Sequence, residues 1–153
     1  MINIIGGKYK RKKIEVPSKQ VRPTSAKKRE AIFSVLESYA IKEDFDLYNN
    51  KCFIDLFAGS GSLGLESISR GAFFSYFYEN QTDICEILLK NCKNLCEEEK
   101  FEIICRDITL LKKININYYL SAIFIDPPYK FKFFNEILLT IINSNILKKN
   151  SFI

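Results

Sequence analysis

A glycine-rich turn in the middle of the chain constrains the fold more than any other segment. Residues 53–64, FIDLFAGSGSLG, run from an apolar stretch into the pattern G-x-G-x-x-G, which is typical of a strand that turns directly into a helix. Glycine lets the backbone turn sharply there and approach a ligand that a Cβ atom would exclude. The segment therefore predicts a ligand-binding strand-turn-helix unit, with a plain tight turn as the alternative.

Strand and helix patterns alternate around this turn. Apolar stretches and helical periodicity predict strands at 51–56, 72–78, 101–105 and 120–125, and helices at 62–70, 82–96 and 133–142. Such repeated units predict an α/β fold with a doubly wound, mainly parallel sheet. The strands at 101–105 and 120–125 are apolar enough that we expect both of their faces to be buried.

The first 48 residues differ from the rest in charge. Residues 1–30 carry ten of the 23 lysines and arginines but only two of the 18 acidic residues, so the net charge of +5 arises in this part. Short apolar stretches predict a hairpin of strands 2–5 and 13–16, followed by a turn at 22–25 and a helix to about residue 39. We expect residues 1–48 to form a basic extension that binds a polyanion, with a merely solvated surface as the alternative, and residues 49–153 to form the main domain.

Three carboxylates are predicted to converge where the parallel strands end. Asp55 ends the first strand of the main domain, and Glu79 follows Gly59 by twenty residues. Asp107 follows the third strand. The carboxyl ends of parallel strands face one crevice, so these side chains should surround one ligand. We expect Glu79 to accept hydrogen bonds from ribose hydroxyls, and Asp107 either to contact an adenine amino group or to cap the next segment.

The charge of Asp55 distinguishes between two cofactors that use such a turn. A dinucleotide places an anionic pyrophosphate against the turn, and a carboxylate four residues before Gly59 would repel it. S-adenosylmethionine (SAM) has no phosphate and carries an ammonium and a sulfonium group, which a carboxylate attracts. We therefore expect SAM rather than a nicotinamide cofactor, with a structural cap as the alternative role of Asp55.

Asp126-Pro127-Pro128-Tyr129 follows the fourth predicted strand, where a second substrate of a doubly wound sheet should lie. The two prolines fix the backbone, so the Pro127 carbonyl has a set direction. Asp126 and this carbonyl can accept hydrogen bonds from the two N–H groups of a base's exocyclic amine. They would then stabilise the positive charge that develops during methyl transfer. Tyr129 can stack on a base turned out of its helix. The alternative is a turn that ends a strand.

The chain has no histidine and five cysteines. The missing histidine excludes Ser-His-Asp and Cys-His nucleophilic catalysis and the common nitrogen ligand of zinc, so we expect no metal. The cysteines are expected to be small apolar residues in a reducing cytosol. No apolar run reaches the ~18 residues of a membrane span, and no signal-peptide pattern opens the chain, so we expect a cytoplasmic protein without a membrane partner.

Four motifs in order resemble one protein family. Residues 126–129 and the segment 55–61, DLFAGSG, look like those of class I SAM-dependent amino-methyltransferases. The segments IIGGKYK at 4–10 and RPTS at 22–25 narrow the resemblance to the RsmD family, which methylates guanine N2 in bacterial small-subunit (16S) ribosomal RNA. The resemblance covers about residues 4–153 and implies a Rossmann-like class I methyltransferase fold, SAM as cofactor and ribosomal RNA as substrate.

The resemblance also implies roles for individual residues. The implied cofactor contacts are Asp55, Phe57, Gly59, Gly61, Glu79 and Asp107. The implied catalytic residues are Asp126, Pro127, Pro128 and Tyr129. The implied contacts to RNA lie in the basic extension and are Lys8, Arg11, Arg22, Pro23 and Thr24.

Members of the family continue through a complete fifth strand and a final antiparallel hairpin, whereas this sequence ends at Ile153. We therefore expect truncated C-terminal strands and a form that is less stable or more association-prone than a longer one. The expected substrate is free ribosomal RNA or a partly assembled small subunit, and a monomer suffices. The alternatives are a DNA adenine-N6 methyltransferase, a non-catalytic RNA-binding module and, weakened by Asp55, a nicotinamide-dependent oxidoreductase.

Overall fold

Strands and helices alternate along the computed structural model, which describes residues 1–17 and 24–153. In chain order the elements are β1 (Ile2–Asn3), β2 (Lys13–Ile14), α1 (Ala26–Lys42), β3 (Lys51–Asp55), α2 (Ser62–Arg70), β4 (Phe74–Glu79), α3 (Thr82–Leu95), β5 (Phe101–Cys105), β6 (Tyr119–Phe124) and α4 (Phe134–Ser144). Single 3-10 turns lie at Glu98–Lys100 and Ile108–Leu110. Within the described ranges, no helix is both long and apolar enough to cross a bilayer.

The main sheet has four parallel strands in the order β5-β4-β3-β6. This confirms the predicted doubly wound sheet, because the chain moves from β3 to one edge through β4 and β5 and then returns to the other side of β3. Asp55 and Phe124 are partners in the β3–β6 ladder. The segment after β6 therefore begins beside the turn after β3.

Helices cover both faces of this sheet. Side chains alternate along a strand, so Ile54 packs with Ile137 of α4 on one face. On the opposite face Phe77 packs with Leu88 of α3. Phe33 of α1 packs on this same face, in a second cluster that includes Phe53 of β3. Burial of β6 is confirmed from Leu120 onward. Burial of both faces of β5 was a wrong expectation, because β5 lies at the sheet edge and its side chains are half-buried or exposed.

A buried carboxylate is one of the contacts that hold the basic extension against the main domain. β1 and β2 form the predicted antiparallel hairpin, although it is shorter than predicted. Glu66 of α2 is fully buried and accepts hydrogen bonds from the backbone N–H groups of Ile5 and Gly6, at 2.8 and 2.7 Å. Ser25 caps α1 by accepting a hydrogen bond from the Lys28 backbone N–H, at 3.2 Å. The predicted turn residues Arg22 and Pro23 lie outside the described residues.

The cysteines divide into two groups. Cys85 of α3 and Cys105 at the end of β5 form a disulfide, so the expectation of reduced apolar residues was wrong for this pair. Cys52, Cys92 and Cys96 are buried thiols, as expected. Burial raises the pKa of Cys52 to about 12 and that of Cys96 to about 11, so both thiols stay protonated near neutral pH.

The last residues extend the sheet by a single contact. Phe152 forms a parallel bridge with Ala122 on the open side of β6. Two backbone hydrogen bonds of 2.9 Å hold it: Ile123 N–H donates to the Phe152 carbonyl, and Phe152 N–H donates to the Ser121 carbonyl. The bridge lies where the sequence predicts a further strand to begin.

Candidate functional site

Acidic side chains meet at the edge of the sheet where its strands end, which we call the carboxyl edge. Asp55 is the last residue of β3, Glu79 is the last residue of β4, and Asp126 lies two residues beyond β6. The charges of Asp126 and Glu79 both raise the pKa of Asp55, so both carboxylates lie within electrostatic range of it. Asp55 and Glu79 thus lie at one edge of the sheet, as the parallel topology predicts. Asp107, the third carboxylate of that prediction, follows β5 at the same edge and is described below.

The turn after β3 depends on glycine for two different reasons. Gly59 and Gly61 have left-handed backbones, with φ of 52° and 81°. A Cβ atom on Gly61 would also lie 2.5 Å from the Leu88 Cδ1 atom. Gly64 lies in α2, and a Cβ atom there would collide with the ring of Phe77 on β4. The first two glycines therefore shape the turn, whereas Gly64 lets α2 pack closely on the sheet.

Asp55 is the most strongly perturbed carboxylate of the site. Its side chain is 2% exposed, and Oδ2 accepts a hydrogen bond from Gly64 N–H at 3.4 Å. Its Oδ1 atom accepts no hydrogen bond from any described residue. Burial raises the pKa of Asp55 to about 7, against the lowering effects of the nearby Gly64 and Phe57 backbone N–H groups. A buried oxygen without a donor is costly, so this position fits a ligand that brings a cationic N–H group.

Glu79 holds the glycine turn against the adjacent strand. Its Oε2 atom accepts a hydrogen bond from Gly59 N–H at 3.0 Å. Its Oε1 atom accepts two more, from Asn80 N–H at 2.8 Å and from Gln81 N–H at 3.0 Å. Each carboxylate oxygen has two lone pairs, so Oε2 retains the capacity to accept a ribose hydroxyl. The sequence predicts the ribose role but not this bracing of the turn.

Asp107 caps the 3-10 turn that follows β5. Its Oδ1 atom accepts hydrogen bonds from the backbone N–H and the hydroxyl of Thr109, at 2.9 and 2.7 Å. Of the two roles expected for Asp107, contact with an adenine amino group or capping, the structure shows capping. The Cys85–Cys105 disulfide ends two residues earlier and joins α3 to the end of β5.

Asp126 opens the tetrapeptide after β6 and is exposed. Its Oδ2 atom accepts a hydrogen bond from the Thr24 hydroxyl at 2.7 Å. Pro127 is half-buried, and the Pro128 carbonyl accepts a hydrogen bond from Phe131 N–H at 2.9 Å. Tyr129 projects to the surface with 90% of its area exposed. The tetrapeptide therefore presents a carboxylate and an aromatic ring at the carboxyl edge.

An aromatic cluster that the sequence analysis missed lies beside the tetrapeptide. The ring of Phe131 contacts Phe57 edge-on at 5.0 Å between centroids. It also contacts Phe133 and Phe134, at 5.8 and 5.4 Å. The signal for this cluster in the sequence was the alternation of basic and aromatic residues at Lys130-Phe131-Lys132-Phe133-Phe134.

The predicted RNA contacts of the basic extension lie in different places. Arg11 and Thr24 line one cavity of about 460 Å³ between the hairpin and the start of α1. The Lys8 ammonium lies 3.8 Å from the Glu97 carboxylate, which follows α3 at the opposite edge of the sheet. Thr24 therefore reaches the carboxyl edge, and Arg11 lines the same cavity as Thr24. Lys8 lies away from the carboxyl edge. Arg22 and Pro23 are outside the described residues.

Known proteins resemble this chain over nearly its whole length. The family described as conserved hypothetical protein 95 matches residues 2–153. The chain is 35% identical to "Ribosomal RNA small subunit methyltransferase D" of Buchnera aphidicola subsp. Baizongia pistaciae, over 99% of this chain and 74% of that protein. It is 32% identical to the Haemophilus influenzae protein of the same name, over 99% of this chain and 76% of that protein. A solved structure, "Putative methyltransferase yhhF" from Escherichia coli, superposes with a TM-score of 0.70 at 26% identity, over 99% of this chain and 74% of that one.

Proposed function

The chain belongs to the conserved hypothetical protein 95 family, that of RsmD, and from this membership we infer that it is an enzyme that methylates small-subunit ribosomal RNA with SAM. We further propose that the acceptor is the exocyclic N2 of a guanine. The observation that carries the proposal is that two carboxylates, buried Asp55 and exposed Asp126, lie at the same edge of the sheet. Asp55 suits a cationic cofactor, and Asp126 suits an amine acceptor.

The residues at the carboxyl edge fit SAM. When bound, SAM supplies an electrophilic methyl group. The Oδ1 atom of Asp55 would accept a hydrogen bond from its ammonium group, and that contact would satisfy an oxygen that otherwise lacks a donor. Glu79 would accept hydrogen bonds from the ribose hydroxyls. The remaining contacts proposed from the family pattern come from the glycine turn, from Phe57 and from Asp107.

Asp126 and its neighbours act on the acceptor base. The guanine N2 lone pair is delocalised into the ring, so the amine is a poor nucleophile. The Asp126 carboxylate and the Pro127 carbonyl accept hydrogen bonds from its two N–H groups and stabilise the positive charge that develops on nitrogen. Pro128 fixes the direction of that carbonyl, and Tyr129 stacks on the extruded base. The nitrogen becomes acidic only after it is methylated, so its proton passes to water without a strong general base.

The basic extension binds the RNA in this proposal. Arg11 and Thr24 lie on the side of the extension nearest to Asp126, and Arg22 and Pro23 precede Thr24 in sequence. Lys8 contributes a phosphate contact at a distance from the reacting base. The substrate is free ribosomal RNA or a partly assembled small subunit, and the enzyme acts as a monomer in the cytoplasm.

Product analysis tests the proposal. Labelled methyl groups from SAM are offered to unmodified small-subunit RNA, free and bound to ribosomal proteins, and to a DNA duplex as control. We expect N2-methylguanosine in RNA. N6-methyladenine in the DNA instead would establish the alternative DNA enzyme. SAM and RNA binding without transfer to any substrate would favour the non-catalytic RNA-binding module.

A further inference from the structure

Five residues directly after the catalytic tetrapeptide have no role in the proposed reaction. Residues 130–134, Lys-Phe-Lys-Phe-Phe, connect Tyr129 to α4, and we call them the KFKFF surface. Phe133 is 52% exposed and Phe134 is 45% exposed. Lys130 and Lys132 are exposed as well. Large apolar rings in water are unfavourable unless a partner covers them.

The rings of this surface are held together rather than scattered. Phe131 is half-buried and packs edge-on against Phe57 in the turn after β3. Phe133 and Phe134 each meet Phe131 edge-on, with interplanar angles of 73° and 85°. Phe131 thus anchors the two exposed rings to the wall of the proposed cofactor site. Their position is fixed relative to Asp126.

The charges around these rings favour a polyanion. Neither Lys130 nor Lys132 forms an ion pair with a residue in the described ranges. Lysine is depleted in the apolar centre of protein interfaces, so two lysines that alternate with aromatic residues disfavour a protein partner. Aromatic rings that stack on bases, beside cations that contact phosphates, are what single-stranded nucleic acids bind.

We propose that the KFKFF surface binds an unpaired nucleotide of the RNA substrate next to the target guanine. Its base stacks on Phe133 or Phe134, and the adjoining phosphates contact Lys130 and Lys132. This inference rests on the proposed function, because the site of chemistry defines where the flanking nucleotide lies. It adds that the target guanine must lie in a segment with at least one unpaired neighbour, since a paired base cannot expose its face.

The main test is the double variant Phe133→Ala/Phe134→Ala. Stacking on one base is worth a factor of about 5 to 160 in affinity. We expect the variant to bind a short single-stranded RNA at least about five times more weakly, by fluorescence anisotropy, with duplex RNA of the same sequence unaffected. In methyl transfer, kcat/KM for the RNA should fall because KM rises while kcat is unchanged. The Kd for SAM should stay unchanged. Tyrosine at both positions should restore binding.

Two further variants separate stacking from general effects. Leu138→Ala/Leu139→Ala removes exposed apolar side chains farther along α4 and should leave RNA binding unchanged. Lys130→Gln/Lys132→Gln should reduce the slope of log affinity against log salt concentration by about 1.4 for single-stranded RNA, about 0.7 for each lost phosphate contact.

The outcomes distinguish this inference from the proposed function. If the wild type methylates RNA and the phenylalanine variant has the same KM and RNA affinity, the inference is wrong and the function stands. If the wild type methylates nothing, the function fails, and the anisotropy result alone decides whether the surface binds RNA. If the variant changes sedimentation from dimer to monomer without changing RNA affinity, the surface contacts a second copy and the inference is overturned.

Discussion

The Thr24 hydroxyl donates a 2.7 Å hydrogen bond to the Oδ2 atom of Asp126, across 102 positions of sequence. Buried Arg29 reinforces this contact, because its guanidinium donates to the carbonyls of Thr24 and Asn3, at 2.6 Å each. The hairpin, the start of α1 and the proposed catalytic carboxylate are therefore connected by hydrogen bonds. We propose that the basic extension orients this carboxylate for the reaction, in addition to its proposed role in RNA binding.

Replacing Thr24 by valine tests this orientation. The side chain keeps its shape but loses the donor, so the Asp126 carboxylate gains rotational freedom. A hydrogen bond of this kind is worth about 0.5 to 1.5 kcal/mol, and kcat should fall by about 2- to 12-fold. Thr24→Ser keeps the hydroxyl and should retain most of the activity. An unchanged kcat in the valine variant would show that the contact does not orient Asp126 for the reaction.

Arg29→Met tests the connection through the guanidinium. The two carbonyls that lose their donors are desolvated, at a cost of about 1 to 3 kcal/mol each. We expect the free energy of unfolding in urea to fall by about 2 to 6 kcal/mol. Lys28→Met, at the exposed neighbouring position, is the matched control and should change stability by less than ~0.5 kcal/mol. Equal losses in the two variants would contradict the account.

Gly64→Ala tests the close packing of α2 on β4. The new methyl group collides with the Phe77 ring, and overpacking of this kind costs about 1 to 3 kcal/mol. Thermal unfolding should show a lower Tm in Gly64→Ala. The double variant Gly64→Ala/Phe77→Leu should lose less stability than the sum of the single changes, because the smaller side chain leaves room for the methyl group. Strict additivity would contradict a direct clash.

The raised pKa of Asp55 predicts how the stability of the ligand-free chain depends on pH. The folded state holds this proton up to about pH 7, whereas the unfolded state releases it near its ordinary pKa of 3.8. Between these values the folded state binds more protons, so the contribution of Asp55 to stability falls as pH rises. Asp55→Asn should flatten this part of the profile and stabilise the ligand-free chain at pH 7 by roughly 1 to 4 kcal/mol. A variant whose profile matches the wild type would refute the assignment.

The same group predicts a pH dependence of SAM binding. The ammonium of SAM pairs with ionised Asp55, so binding must expel the proton. Calorimetric titration should show the apparent Kd falling up to about tenfold per pH unit as pH rises towards 7, then levelling. Asp55→Asn should bind SAM more weakly and lose this dependence. A wild-type Kd that is constant from pH 5.5 to 8 would contradict the proposed contact.

The sequence predicted what local patterns determine. β3 and α2 were located closely because apolar runs and glycines mark their ends, and the convergence of Asp55 with Glu79 followed from parallel topology alone. The Thr24–Asp126 hydrogen bond and the Cys85–Cys105 disulfide were not predicted, because such contacts between distant segments leave no periodic signal.

Two other differences have physical causes. β5 was expected to be buried on both faces because its apolar residues do not distinguish an edge strand from a central one. The contact between Phe131 and Phe57 was not predictable because the two residues lie far apart in sequence, although the run of aromatic and basic residues at 130–134 was visible. The backbone contacts of Glu79 depend on the turn geometry around Gly59, which its sequence spacing alone does not specify.

The central claim is that the Asp126 carboxylate acts on the exocyclic amine of an RNA guanine while Asp55 holds the cofactor. The most direct measurement is single-turnover methyl transfer to small-subunit RNA at saturating SAM, for the wild type and Asp126→Ala, with SAM affinity measured in parallel. We predict that the variant forms N2-methylguanosine at least ~100-fold more slowly and binds SAM with unchanged Kd. A variant that transfers methyl groups at the wild-type rate would contradict the claim.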